Sequence, residues 1–173
     1  WIKLAHDLGC PGVKVRPNGA PKEVPLDDTL KQIGESLREC GEFGLGYGVH
    51  VRVEVHGAVT QELPNIKKIM DYADHDNVYV CWNSNDADLD KPDKDDAPPS
   101  IEKNFRLVAK KISAVHMRDL FIENYPWRQL FRLLKQSGFE GYCFTEMPES
   151  ADAVRVLKYY RALWLAYQPD ADS

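Results

Sequence analysis

The sequence predicts an α/β architecture with a parallel sheet. Three observations predict it. Five short β-rich stretches are each followed by a helical stretch, and no hairpin signal joins any two of them. One of the five, Val49-His50-Val51-Arg52-Val53-Glu54-Val55-His56, alternates strictly, with valines on one face and ionisable residues on the other. In a βα sheet both faces are covered, so that ionisable row points into the interior, where charged groups need partners, a metal or a substrate.

The elements follow in order. Residues 1–10 read as the last turns of a helix stopped by Gly9, which suggests the C-terminal part of a longer chain. Residues 12–16 form a strand ended by the Pro17-Asn18-Gly19 turn. A loop over 21–28 leads to a helix from Thr29 to about Cys40, capped by Asp27 or Asp28 and broken by Gly41, Gly44, Gly46 and Gly48. After strand 49–55, Thr60 is an N-cap candidate for a helix that tolerates Pro64 in its first turn and runs to Tyr72. A strand over 78–82 precedes a long stretch, 83–100, rich in Asp, Lys and Pro and without apolar periodicity. Ser100 caps a helix over 101–110, and 112–117 is a strand. Pro126 opens a helix over 127–136 closed by Gly138. Residues 141–146 are the last strand, and Ser150 caps a final helix to about Tyr167. The 173 residues are expected to make a single partial domain, with 168–173 as a frayed tail.

Composition narrows the function. A net charge of -5 argues against a nucleic-acid backbone as partner, since phosphate binding wants a basic surface. No apolar run approaches a membrane span. Cys10, Cys40, Cys81 and Cys143 form no C-x-x-C pair and are expected to be reduced and mostly buried, as in a cytoplasmic protein.

In parallel α/β folds the chemistry collects at the C-terminal ends of the strands. Those ends carry Arg16, Glu54 with His56, Asn83 with Asp86, His116 with Asp119, and Glu146, whereas the opposite ends carry turn residues such as Asn77 and Glu140. Two glutamates and a histidine on neighbouring strands suit a divalent cation, Mn²⁺ or Mg²⁺ first, with Co²⁺ or Zn²⁺ as alternates. Two carboxylates flanking one metal can also act as an acid/base pair.

The strand endings Val53-Glu54-Val55-His56-Gly57, Val80-Cys81-Trp82-Asn83, Val115-His116-Met117-Arg118-Asp119 and Phe144-Thr145-Glu146 resemble the last four strands of the xylose isomerase-like TIM barrels, the sugar and sugar-phosphate isomerases and epimerases. From Glu54 to His116 is 62 residues and from His116 to Glu146 is 30, which fits two βα units and one. The resemblance implies a (β/α)8 barrel of which strands four to eight are present, since a complete one takes about 250 residues. It also implies a divalent metal held by Glu54, Asn83, His116 and Glu146. Glu54 and Glu146 would exchange a proton with the substrate through an enediolate. His56, Arg118 and Asp86 would contact substrate, and Asp119 would orient a ligand or Arg118. Asn83 stands where the family has Asp.

Other readings stay open. Glu54 and Glu146 can be interior carboxylates paired with Lys14, Arg16 or Arg52, and His116 a satisfied core histidine. The acidic run Asp86–Asp96 reads as a solvated loop, with a lid over the site as the second reading. A degenerate, non-catalytic carbohydrate-binding or scaffold domain is the rival of the isomerase. A metallo-endonuclease on the same barrel fits less well, given the acidic balance and few histidines. A sugar is the expected partner, with neither nucleic acid nor membrane, and homo-oligomers are compatible with an open strand edge at 12–16.

Overall fold

The computed structural model describes residues 1–90 and 97–169. Its elements are α1 (Ile2–Asp7), β1 (Gly12–Val15), α2 (Leu26–Leu45), β2 (His50–Glu54), α3 (Leu63–Ala73), β3 (Val78–Asn83), α4 (Glu102–Val108), β4 (Ile112–Met117), α5 (Trp127–Gln136), β5 (Tyr142–Thr145) and α6 (Ala153–Tyr167). The five strands make one parallel sheet in sequence order, β1-β2-β3-β4-β5, curled as part of an incomplete TIM barrel. Among the described residues no helix is long and apolar enough to cross a membrane.

Period-two alternation divides the sheet into two sides. On the convex side Val51, Val53, Val55, Val78, Val80, Trp82, Val115 and Met117 are buried against Leu30 and Leu37 of α2, Leu63, Ile66 and Ile69 of α3, and Phe105 of α4. Burying such side chains stabilises by about 1.5–3 kcal/mol each, which fixes the register and so the direction of every intervening side chain. The concave side therefore receives Lys14, His50, Arg52, Glu54, Tyr79, Cys81, Asn83, His116 and Phe144. Register neighbours on it are Lys14 with Arg52, Glu54 with Cys81, Asn83 with His116, and His116 with Phe144.

Several boundaries differ from the sequence expectation. Helix α2 begins at Leu26, with Asp27 and Asp28 in its first turn instead of capping it, and continues through Gly41 and Gly44 to Leu45. Those two glycines are close-approach sites, not breakers. A Cβ on Gly44 would lie 2.2 Å from the Val49 carbonyl oxygen, and one on Gly41 would lie 2.8 Å from Val78. Tertiary packing thus overrides the intrinsic cost of about 1 kcal/mol for a helical glycine. Thr60 does not cap α3, whose N-cap is Glu62; its hydroxyl donates instead to the His56 carbonyl at 2.9 Å. The final helix is capped by Asp152, which accepts from the Arg155 amide, while Ser150 accepts from the Asp152 amide. Helix α4 stops at Val108, and Ala109–Lys111 continue as a 3-10 turn.

The loop after β3 is not simply solvated. Asn85 caps a 3-10 turn, Asp86–Asp88, in a reciprocal capping box, and Asp88 is fully buried. Residues 91–96 of the acidic run and 170–173 of the tail lie outside the described residues. Of the expected frayed tail, Gln168 is bonded to Leu165 and Trp164 of α6. All four cysteines are free, but Cys10 and Cys40 are exposed and Cys143 is half-buried, so only Cys81 follows the expected burial.

Candidate functional site

Glu54 is the last residue of β2, His116 the penultimate residue of β4, and Glu146 follows β5, tied to the sheet by its amide, which donates to the Met117 carbonyl at 2.8 Å. β4 and β5 are adjacent, β2 lies across β3 from β4, and the curl of the sheet brings these ends together. One donor atom from each of the three lies within 4.8 Å of the others. Nδ1 of His116 is 3.3 Å from Oε1 of Glu54 and 3.5 Å from Oε2 of Glu146. That nitrogen is buried and makes no hydrogen bond of good geometry. A buried ring nitrogen facing two carboxylate oxygens is what a cation between them would satisfy.

Glu54 is almost completely buried, whereas the Glu146 side chain is 61% exposed. Burial alone would raise the Glu54 pKa, but His116 and Lys14 outweigh it and hold the carboxyl down at about 2. Lys14 Nζ donates to Oε2 of Glu54 at 2.5 Å. The Cys81 thiol and the Glu54 carboxylate raise His116 to about 10 against its partial burial. Asn83 lies in the same layer, with its Nδ2 3.3 Å from Oε1 of Glu54. It therefore acts as a donor to Glu54 in this arrangement; as a ligand it would have to turn its amide oxygen inward.

The other expected residues are placed around this cluster. His56 sits one turn beyond Glu54, its Nδ1 buried without a hydrogen bond and its carbonyl held by Thr60. The chain turns there on Gly57 (φ +92°), where a Cβ would meet the Gly19 amide at 2.6 Å, and on Val59 (φ +69°), a β-branched residue in the left-handed region. Arg118 donates to Asp86 at 2.7 Å and lies over the Tyr125 ring at 5.6 Å, while its Nε is buried and unbonded. Asp86 is thus engaged with Arg118 and not with the Glu54 cluster. Asp119 makes no side-chain hydrogen bond to Arg118 or to the cluster among the described residues.

Of the three cationic partners considered for the interior glutamates, Lys14 is the one that pairs. Arg52 directs its Nε to Nε2 of His50 at 2.6 Å. His50 is lowered to about 4 by burial and by Arg52, so it accepts that bond as a neutral ring. Two features escape sequence reading. Ser84 Oγ donates to the His116 carbonyl at 3.0 Å and accepts from the Arg118 amide at 3.2 Å, tying β3 to the β4 end. Behind it, Trp82 Nε1 donates to the Tyr125 hydroxyl at 3.0 Å, which donates to Asp88 at 2.8 Å. The spacing Asn85-x-x-Asp88 is a legible capping signal; nothing in sequence marks Tyr125.

Residues 1–163 match the family model described as xylose isomerase-like TIM barrel. No curated protein matches the chain. Among solved structures, 3-keto-D-glucoside 4-epimerase from E. coli, apo form, is similar with TM-score 0.72 and 15% identity, covering 93% of this chain and 67% of that one. The IOLI protein with a binding zinc atom has TM-score 0.75 and 17% identity over 96% and 66%. A xylose isomerase-like TIM barrel protein from Mycobacterium smegmatis in complex with magnesium has TM-score 0.69 and 16% identity over 96% and 64%. The chain spans about two thirds of the length of these structures.

Proposed function

The chain belongs to the xylose isomerase-like TIM barrel family, and on that premise we propose that its strand-end cluster is the centre of a divalent-metal-dependent isomerase or epimerase of a sugar or sugar phosphate. The observation that carries the reading is the convergence of Glu54, His116 and Glu146 within 4.8 Å, with His116 Nδ1 left unbonded between the carboxylates. The similar epimerase and the magnesium- and zinc-bound neighbours support it.

Glu54, His116 and Glu146 would hold the ion, with Asn83 joining through its amide oxygen. An oxygen-rich set with one imidazole fits Mn²⁺ or Mg²⁺ best, and accepts Co²⁺ or Zn²⁺. When bound, such an ion polarises a carbonyl and an adjacent hydroxyl. Everything else falls to the side chains. Glu54, buried and kept ionised by Lys14 and His116, removes a proton from the carbon beside the carbonyl, giving an enediolate. Glu146, at the more open side, would take up a proton from solvent and deliver it to the neighbouring carbon or to the opposite face, while Glu54 releases to solvent the proton it removed. Arg118 and His56 flank the cluster with unbonded buried nitrogens, Nε and Nδ1, that can donate to substrate oxygens. Asp86 fixes the Arg118 guanidinium from outside, and Asp119 would orient a ligand or Arg118. Residues 1–173 form one partial-barrel domain in this reading. The free, exposed Cys10 and Cys40 agree with a reducing, cytoplasmic-type compartment.

The test is exchange of a ketose C–H proton for solvent deuterium, followed by NMR with Mn²⁺ present. Exchange with at least one ketose or ketose phosphate is expected. Absence of exchange across a panel, with no bound divalent ion, would reject the reading. The rival, a degenerate carbohydrate-binding domain, is favoured by one observation: Asn83 donates to Glu54 instead of presenting a carboxylate.

A further inference from the structure

The partner that holds Glu54 in place is a cation of this chain's own. Lys14 is the third residue of β1, an edge strand, and lies in register with Arg52 on the concave side of the sheet. Its ammonium sits 2.5 Å from Oε2 of Glu54, and its side chain is 33% exposed against 2% for Glu54. The other carboxylate oxygen, Oε1, faces His116 and through it Glu146. The two oxygens of Glu54 thus have different surroundings. Oε1 looks into the three-residue cluster, and Oε2 is capped by a full positive charge.

The charge arithmetic is unusual for a divalent site. Glu54 and Glu146 bring two negative charges, a ligating imidazole is neutral, and Asn83 brings none. Lys14 then removes one of the two. Arg52, the nearer buried cation by register, is turned away to His50 and does not compete for the carboxylate. Lysine is a compact point charge, so it neutralises without offering a bidentate fork. Metal affinity in oxygen-rich sites is tuned by ligand charge count.

We propose that Lys14 sets the divalent-cation affinity of the cluster. By pairing with Oε2 it keeps that oxygen, the one left to take the substrate proton, off the ion, limits Glu54 to one coordinating oxygen, offsets one carboxylate charge, and keeps the bound ion weakly held and exchangeable. This rests on the metal-centre reading given above. It also assigns Lys14 a second effect: its contact with Oε2 holds Glu54 oriented before any ion arrives, so that loading requires little rearrangement.

The experiment is calorimetric titration of the metal-stripped protein with Mn²⁺, comparing wild type, Lys14→Met, Lys14→Gln and Lys14→Arg, with Glu54→Gln as the non-binding control. Circular dichroism melts select the folded variants. Removing the positive charge next to the site should tighten Mn²⁺ binding by at least about tenfold in Lys14→Met. Lys14→Gln, which keeps a donor but no charge, should tighten it in the same direction. Lys14→Arg should stay within about threefold of wild type. If folded Met and Gln variants bind Mn²⁺ as weakly as wild type or more weakly, Lys14 is a structural partner only and the inference falls. Wild type that binds no Mn²⁺ while Lys14→Met does would support the inference in its strongest form. If neither wild type nor any Lys14 variant binds, the metal-centre reading fails and takes this inference with it.

Discussion

Two polar groups of residues sit back to back on β3, and they are finished differently. Trp82 faces the helices and joins a chain in which its indole N–H donates to Tyr125 and Tyr125 donates to Asp88, with the Asn85 amide adding a second donor to the same carboxylate oxygen. Asn83, the next residue, faces the concave side and looks onto Glu54 and His116. The first group is closed on its donor side: it uses its donors internally, is almost wholly buried with the Asp88 Oδ1 acceptor left unbonded, and fixes the loop after β3 to the loop before α5. The second is open: His116 Nδ1 is unbonded, and His56 Nδ1 and Arg118 Nε nearby share that condition. Unspent hydrogen-bonding capacity in buried groups is costly to a folded chain. The two groups differ in what is left unbonded: a lone acceptor oxygen of Asp88 in the structural network, and ring and guanidinium nitrogens of His116, His56 and Arg118 at the candidate site.

The largest expected effect lies on the open side. Glu54→Gln keeps the shape of the side chain but removes the charge that Lys14, His116 and an ion would share. Proton exchange should fall by at least about 10³-fold, and stoichiometric Mn²⁺ should be lost. The fold should tolerate the change, because Lys14 is one-third exposed and can rehydrate. Metal analysis and the deuterium-exchange rate, measured beside a thermal melt, check this. A variant that retains both metal and exchange would place the chemistry elsewhere.

Tyr125→Phe should show the opposite pattern. Removal of the hydroxyl leaves the Trp82 indole N–H without an acceptor and takes one donor from a buried carboxylate. The expected cost is about 1–3 kcal/mol in unfolding free energy, with Mn²⁺ affinity within about twofold of wild type. Urea denaturation and a metal titration on the same preparation measure both. Unchanged stability with lost metal binding would erase the distinction between the two groups.

The two sides of β3 also differ in how far the sequence exposed them. The alternation of 49–55, the order of βα units and the crowding of ionisable residues at one end of the strands carry physical signals that act locally or at fixed period. They located the sheet and the positions of Glu54, His116 and Glu146. Packing decided the rest. Gly41 and Gly44 look like helix breakers, because nothing in the local sequence shows that Val49 and Val78 approach too closely for a side chain. Asp88 looks like one more solvated acid in an acidic run until Tyr125, 37 residues away in sequence and held by the Trp82 indole, closes over it. The choice of Lys14 over Arg52 as the partner of Glu54 depends on His50 capturing Arg52, a contact between residues only two apart that alternation alone does not reveal.

The smallest effect is expected at the boundary between the two sides, and it bears most directly on whether the site is active or degenerate. Asn83→Asp would replace a neutral donor facing Oε1 of Glu54 by a second carboxylate. Without an ion, like charges would then oppose each other and the hydrogen bond at 3.3 Å would be lost, so the metal-free protein should be slightly less stable. With an ion, the added negative charge should tighten Mn²⁺ binding by about tenfold, equivalent to about 1.4 kcal/mol. The opposed signs are the useful feature, since a residue remote from the ion would give neither. Thermal melts with and without Mn²⁺ should diverge more in this variant than in wild type. Equal divergence would mean that residue 83 lies outside the coordination shell and that Glu54, His116 and Glu146 hold the ion without it.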